Sequence, residues 1–213
     1  CRAVTPPVTF AAVIVAAGRG TRFGKPKHES TIDGARLWER CVSAFEAAGV
    51  PSVVVGDVPG GLPGGERRRD SVLAGVESVP EADWVLVHDA ARALVTPQLI
   101  TSIIDMALAT DAAGVIPGIP ITDTVKKVEH GQVVETLDRS SLVAVQTPQA
   151  FDREVLVRAH THDPSIDATD DAALVERIGG TVVVVPGDAD NIKITYPEDL
   201  ERARAIAQER GAS

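Results

Sequence analysis

Residues 13–27 run Val-Ile-Val-Ala-Ala-Gly-Arg-Gly-Thr-Arg-Phe-Gly-Lys-Pro-Lys, which sets three glycines and four cations behind a short apolar run. Arg19, Arg22, Lys25 and Lys27 fall within nine positions of a chain that has 21 Lys and Arg in all and a formal net charge of −9. Glycine-rich backbone N–H groups and nearby point charges are what an α/β protein offers a polyphosphate at the carboxyl end of a strand. The segment predicts a nucleotide site. Two common nucleotide loops fail on residues. A dinucleotide fingerprint needs a third glycine where Phe23 stands and an acidic residue about 20 positions on, yet the next strand candidate ends only at Val55. A Walker loop needs Gly-Lys followed by Ser or Thr with a glycine five positions earlier; Gly24-Lys25 is followed by Pro26, and Arg19 holds the glycine's place. Pro26 also keeps the chain out of a helix directly after Gly24, so the cations sit on an extended loop able to fold over a triphosphate.

The elements around this loop alternate. Strand candidates are Ala11–Val15, Ser52–Val55, Trp84–Val87, Gly114–Ile116 and Thr181–Val185, all short, apolar and β-branched as strands covered on both faces are. Helical patterns lie between them. Gly34–Ala48 carries Leu37, Cys41, Phe45 and Ala48 on one face and stops at Gly49. Residues 71–79, Pro97–Thr110, Asp152–His160 and Asp170–Ile178 follow the same logic, and Thr195-Tyr196-Pro197-Glu198 has capping-box spacing at the start of a last helix. Such alternation predicts an α/β fold with a doubly wound, mostly parallel sheet and ligands outside the carboxyl ends of its strands. Residues 124–139 break it. They read as two polar-alternating strands joined around His130-Gly131, a β-hairpin arm that is marginal alone and expected to pack on something, either a second copy of the chain or the edge of its own sheet. Arg67, Arg68 and Arg69 read as a solvated turn, and residues 56–65 as a Pro/Gly loop rather than a linker.

Composition sets the outer limits. The 213 residues, 44% hydrophobic with only 3% aromatic, fit one domain spanning 1–213 with a core of Val, Ile, Leu and Ala. An acidic chain with a pI near 5.0 does not present the basic face that nucleic acid or an anionic membrane surface needs. No apolar run approaches a membrane span and no signal peptide is visible, so the cytoplasm is expected. Cys1 and Cys41 make no disulfide framework, and Cys41 lies on an apolar stripe as a core residue.

Ala16-Ala17-Gly18-x-Gly20-x-Arg22 with Pro26-Lys27 resembles the opening loop of sugar-phosphate nucleotidyltransferases. The later motifs narrow the resemblance to the 2-C-methyl-D-erythritol 4-phosphate cytidylyltransferase family. They are Gly64-Gly65-x-x-Arg68-x-Asp70-Ser71-Val72, Val87-His88-Asp89-Ala90-Ala91-Arg92, Asp123-Thr124, Asp138-Arg139, Gln146-Thr147-Pro148-Gln149, Thr169-Asp170 and Asp190-Asn191-Ile192-Lys193. They occur in family order over residues 11 to about 200. The resemblance implies a Rossmann-like nucleotidyltransferase fold and transfer of a cytidylyl group from CTP to methylerythritol phosphate with release of pyrophosphate, in non-mevalonate isoprenoid synthesis.

That resemblance also implies roles. Arg22 and Lys27 match residues that stabilise charge at the α-phosphate, while Arg139 and Lys193 match those that hold the attacking phosphate in line. Ala16, Ala17, Gly18, Gly65, Glu66 and Ser71 match nucleotide contacts, with the cytosine near Ser71 and the backbone at Ala16, Ala17 and Gly65. Asp89, with Ala90 beside it, matches the residue meeting the ribose or metal side, and Mg²⁺ is implied. Arg92, Thr124, Thr147 and Thr169 match contacts to the acceptor's phosphate or hydroxyls. The arm is implied to reach into a partner subunit, making a homodimer whose sites each borrow from the other chain. The chemistry is consistent: a phosphate monoester with a second pKa of about 6 is already a nucleophile, and no Ser-His or Cys-His arrangement suggests covalent catalysis. Two alternatives stay open, a cytidylyltransferase acting on ribitol phosphate or another polyol phosphate, and a non-catalytic nucleotide-binding protein.

Overall fold

A computed structural model describes residues 7–18 and 30–211, so Arg22 and Lys27 lie outside the described residues. Strand β1 (Phe10–Val15) pairs in parallel with both β4 (Ser52–Val55) and β5 (Trp84–Asp89). Strand β6 (Gly114–Pro120) pairs in parallel with β11 (Val182–Pro186). Between these two parallel sets lies β10 (Gln149–Asp152), antiparallel to β5 and β6, which joins them into one sheet in the order β11-β6-β10-β5-β1-β4; β9 (Val143–Val145) adds to β6.

The period of two along each buried strand divides the core. Ala12, Ile14, Leu86 and Ala150 pack on one face against α1 (Leu37–Ala47), α3 (Pro97–Ala109) and α6 (Pro197–Gly211). Val13, Val85, Val87 and Phe151 pack on the other against α2 (Arg68–Glu77), α4 (Arg153–His162) and α5 (Asp171–Arg177). This is the doubly wound sheet expected from the alternation. Cys41 is fully buried in the first layer, and burial pushes its thiol up to about 12; it is a core residue, not a nucleophile.

Several boundaries differ from expectation. The helix expected from Gly34 starts at Leu37, because Asp33 (φ 50°) and Gly34 (φ 81°) make a two-residue hairpin turn between β2 (Thr31–Ile32) and β3 (Ala35–Arg36). The last helix is capped by Asp199, which accepts from the backbone N–H of Thr195 and Tyr196 at 2.8 Å each, rather than by Glu198. The Arg67–Arg69 turn is overturned. Asp70 accepts from Arg67 N–H at 3.1 Å, so the helix starts at Arg68 and carries Arg68 and Arg69 inward, while Arg67 stays half-exposed at its N-cap.

The arm forms as read, from β7 (Lys126–Glu129) and β8 (Gln132–Thr136) turning at His130 (φ 50°) and Gly131 (φ 82°). It is a separate two-stranded sheet, not an edge of the large one, and every residue in both strands is exposed.

Candidate functional site

The site collects at the carboxyl ends of β1 and β5. Ala16 N–H donates to Val55 O at 2.7 Å, and Ala90 N–H donates to Val15 O at 3.0 Å, which fixes the segments leaving both strands. Val15, Ala16, Gly18, Leu37, Trp38, Ala90 and Ala91 line a cavity between them. The loop after β4 is pressed on the same place. A Cβ on Gly56 would lie 2.7–2.9 Å from backbone atoms of Ala16 and Ala17, and one on Gly64 would lie 2.6 Å from the Ala17 Cβ. Only glycine permits this approach. Ser71, buried on α2, accepts from Gly65 N–H at 3.0 Å and donates to Arg67 O at 3.3 Å, so its hydroxyl fixes the loop rather than capping the helix. Ala16, Ala17, Gly18, Gly65, Ser71 and Ala90 are thus brought together. Glu66 stands exposed beside them.

A chain of charges runs behind this floor. Asp89, at the end of β5, takes Lys193 Nζ at 2.7 Å on one carboxylate oxygen and Arg68 Nε at 3.0 Å on the other. Arg68 continues to Asp171 Oδ2 at 2.8 Å, and the other oxygen of Asp171 meets His160 Nε2 at 3.0 Å. Burial alone would raise the pKa of both acids, but Arg68 and Lys193 hold Asp89, and Arg68 and His160 hold Asp171, below the usual carboxylate range. The same balance keeps Arg68 charged: burial opposes it, and the two carboxylates raise it above its ordinary value.

Residues 146–149 tie the remaining loops to Asp89. Gln146 clamps the backbone of Asp188, donating to its carbonyl at 2.8 Å and accepting from its N–H at 3.1 Å. Arg210 on α6 bonds Asp188 and Asp190 at 2.8 and 3.2 Å, so the turn that delivers Lys193 is held from two sides. Thr147 Oγ1 accepts from Asp89 N–H at 3.1 Å, and Gln149 Nε2 donates to Asp170 at 3.0 Å. Asn191 donates to Thr147 O at 2.9 Å and accepts on its own carbonyl from Arg92 at 2.7 Å. Gln146, Thr147 and Gln149 therefore connect three other motifs through backbone and carboxylate contacts.

Arg92, Thr147, Asp89 and Lys193 belong to this cluster. Thr169 is exposed beside Asp170, which caps α5 by accepting from Ala173 N–H at 3.1 Å. Thr124 and Arg139 are not brought to it within one chain: both are exposed at the base of the arm, where Arg139 donates to Thr122 O. Reading the sequence missed Arg68, Asp171, His88 and His160 as site-supporting residues. Arg68 and His88 stand inside quoted motifs and Asp171 directly follows one, whereas His160 had no signal beyond its place on a helix. Among the described residues no group of three His, Cys, Asp or Glu side chains gathers to hold a metal. Cations occupy both oxygens of Asp89, so the described residues do not fit a Mg²⁺ ion held by the protein alone.

Comparison with known proteins agrees with the geometry. The family model described as 2-C-methyl-D-erythritol 4-phosphate cytidylyltransferase matches residues 61–209, and one for the MobA-like NTP transferase domain matches residues 12–60. A 2-C-methyl-D-erythritol 4-phosphate cytidylyltransferase of Streptomyces coelicolor is 42% identical over 236 residues, covering 96% of this chain and 87% of the relative. A bifunctional enzyme IspD/IspF of Oleidesulfovibrio alaskensis is 45% identical over 186 residues, covering 85% of this chain and 44% of the relative. The chain spans about half the length of the bifunctional relatives it matches (44% and 54% for two of them). The crystal structure of the 2-C-methyl-D-erythritol 4-phosphate cytidylyltransferase of Thermus thermophilus superposes with a TM-score of 0.80 at 31% identity, covering 94% of this chain and all of that one.

Proposed function

Because the chain belongs to the 2-C-methyl-D-erythritol 4-phosphate cytidylyltransferase family, we propose that it transfers the cytidylyl group of CTP to methylerythritol phosphate and releases pyrophosphate. The observation that carries the reading is the junction of Asp89, Lys193, Arg92 and Thr147 beside the Ala16–Gly18 and Gly64–Gly65 loops. A phosphate oxygen of the acceptor attacks the α-phosphorus, and the bond from that phosphorus to the bridging β-phosphate oxygen breaks. Pyrophosphate leaves with the bonding pair. An acceptor monoester is largely dianionic at neutral pH, so no proton need be removed first. The work left to the protein is bringing two polyanions together and stabilising charge at the α-phosphate. Arg22 and Lys27 take the second task. Lys193 and Arg139 hold the attacking phosphate, with Thr124, Arg92, Thr147 and Thr169 on the acceptor, while Asp89 faces the ribose side. Magnesium enters as the counter-ion of the triphosphate, in the Mg·CTP substrate.

We place Arg139 and Thr124 in the site of a second copy. Val128, Val133 and Val134 are 53%, 60% and 49% exposed on an arm that packs on nothing in its own chain's sheet, and a lone hairpin is marginal in water. A homodimer would cover those valines and complete both sites.

Pyrophosphate release with CTP, Mg²⁺ and either acceptor tests the activity. Methylerythritol phosphate is expected to turn over, and ribitol phosphate slowly or not at all; the reverse order would transfer the assignment to the ribitol substrate. In the same assay, Lys27→Ala or Arg22→Ala is expected to cut kcat about 10²-fold, as losing one donor to the developing charge does. Sedimentation of the intact protein should give the mass of two chains. Removing residues 126–137 should give the mass of one, and an unchanged dimer rules out the arm as the joint.

A further inference from the structure

His88 is fully buried, its ring edge-to-face with Phe45 at 5.6 Å, and reaches no solvent-facing surface. Its ring nonetheless touches two of the residues assigned to the acceptor. Nε2 lies 3.2 Å from Arg92 O and Nδ1 lies 3.1 Å from Thr147 Oγ1. A carbonyl oxygen only accepts, so Nε2 carries the hydrogen. The ring is fully buried and its hydrogen-bond partners are a carbonyl and a hydroxyl, with no carboxylate among them to balance a charge, so it is neutral and leaves Nδ1 as an acceptor. The Thr147 hydroxyl has one hydrogen, and its oxygen already accepts from Asp89 N–H at 3.1 Å. Its hydrogen therefore points at His88.

We infer that His88 is a positioning residue which fixes the polarity of Thr147, so that the Thr147 oxygen meets the substrate as a hydrogen-bond acceptor and selects a hydroxyl group of the polyol. The inference rests on the reading that Thr147 touches the acceptor. A hydroxyl with its hydrogen spent inward cannot donate to a phosphate oxygen. It accepts from a polyol O–H through its remaining lone pair. The same imidazole, through Arg92 O, anchors the segment that presents the Arg92 side chain, so one buried ring orders Asp89, Arg92 and Thr147 together.

The experiment is a double-mutant cycle on the KM values for CTP and for methylerythritol phosphate. Phenylalanine at this position fills the place of the ring beside Phe45 and offers Thr147 no acceptor, whereas glutamine carries an amide donor and a carbonyl acceptor on one carbon, as the neutral ring does on two nitrogens. His88→Phe is expected to raise the acceptor KM about tenfold, the scale of one hydrogen bond, with the KM for CTP unchanged, and His88→Gln to recover part of the loss. Thr147→Val is expected to raise the acceptor KM as His88→Phe does. His88→Phe added to Thr147→Val should raise the acceptor KM by less than it does alone, because the hydroxyl that His88 orients is gone. Equal rises in both backgrounds overturn the link from His88 to Thr147 while leaving the acceptor contact intact. An unchanged acceptor KM in Thr147→Val overturns the contact, and the inference with it. Nitrogen NMR of the wild-type ring supplies a readout independent of activity and of how the variants fold. A neutral ring protonated on Nε2 is expected, and protonation on Nδ1 overturns the inference.

Discussion

Arg68→Met should lower folding stability by about 3–5 kcal/mol, since it removes the central cation from a buried chain of charges. Asp171 is 1% exposed and would keep only His160, and Asp89 would keep only Lys193. Urea unfolding followed by the fluorescence of Trp38 and Trp84 measures the loss. The pH dependence has a definite sign. Asp89 and Asp171 have depressed pKa values in the folded protein, so the stability they contribute is present above the unfolded value of about 4. It is lost as pH falls through the folded values, below the ordinary carboxylate range. In Arg68→Met burial acts with less opposition, both acids shift upward, and the loss begins at higher pH. Turnover should fall with it, by about 10²-fold, because a lone Lys193 would be drawn fully onto Asp89. A variant as stable as the wild type from pH 7 down to pH 4 would show that water already screens Arg68.

Periodicity made the parallel strands and the faces of α1 and α3 legible, because residues buried on both sides of a sheet leave continuous apolar runs. It did not reveal β9 or β10. Each has at most four residues, and β10 owes its place to pairing with β5 and β6, partners 30 or more residues away in sequence. The central antiparallel strand is thus a tertiary decision without a local signature. Arg67–Arg69 misled for a related reason. Three consecutive arginines look solvated until the turn ahead of them is known to be capped by Asp70. Once the helix starts at Arg68, Arg68 points to Asp89, and Arg69 donates to the carbonyls of His160, Asp163 and Ile166. The candidate site was legible where loops follow strands, at Ala16–Gly18, Asp89–Arg92 and Asp190–Lys193. Its supporting layer was not, because Asp171, His160 and His88 act only through neighbours that folding brings to them. Arg139 and Thr124 are a separate case, since their expected task lies on a second chain.

Lys193→Gln is expected to cut kcat/KM for methylerythritol phosphate by about 10²–10³-fold, the cost of removing a charged donor from a reacting phosphate, with almost no change in stability. The contrast follows from exposure. Lys193 is 46% exposed along its side chain while Asp89 is 13% exposed, and a half-exposed ion pair contributes at most about 1 kcal/mol. The turn carrying residue 193 does not depend on the ammonium, because Gln146 and Arg210 hold it through Asp188 and Asp190. In the wild type Asp89 holds the ammonium at 2.7 Å, a position from which a more highly charged phosphate would draw it. The split between constants separates the roles. Loss of an acceptor ligand raises the KM for methylerythritol phosphate and lowers kcat, leaving the KM for CTP near its original value. A rise confined to the KM for CTP would assign Lys193 to the triphosphate and leave Arg139 as the remaining cation expected at the nucleophile. Arginine at this position should restore only part of the rate, since its larger planar guanidinium does not reproduce the compact point charge that meets Asp89 at 2.7 Å.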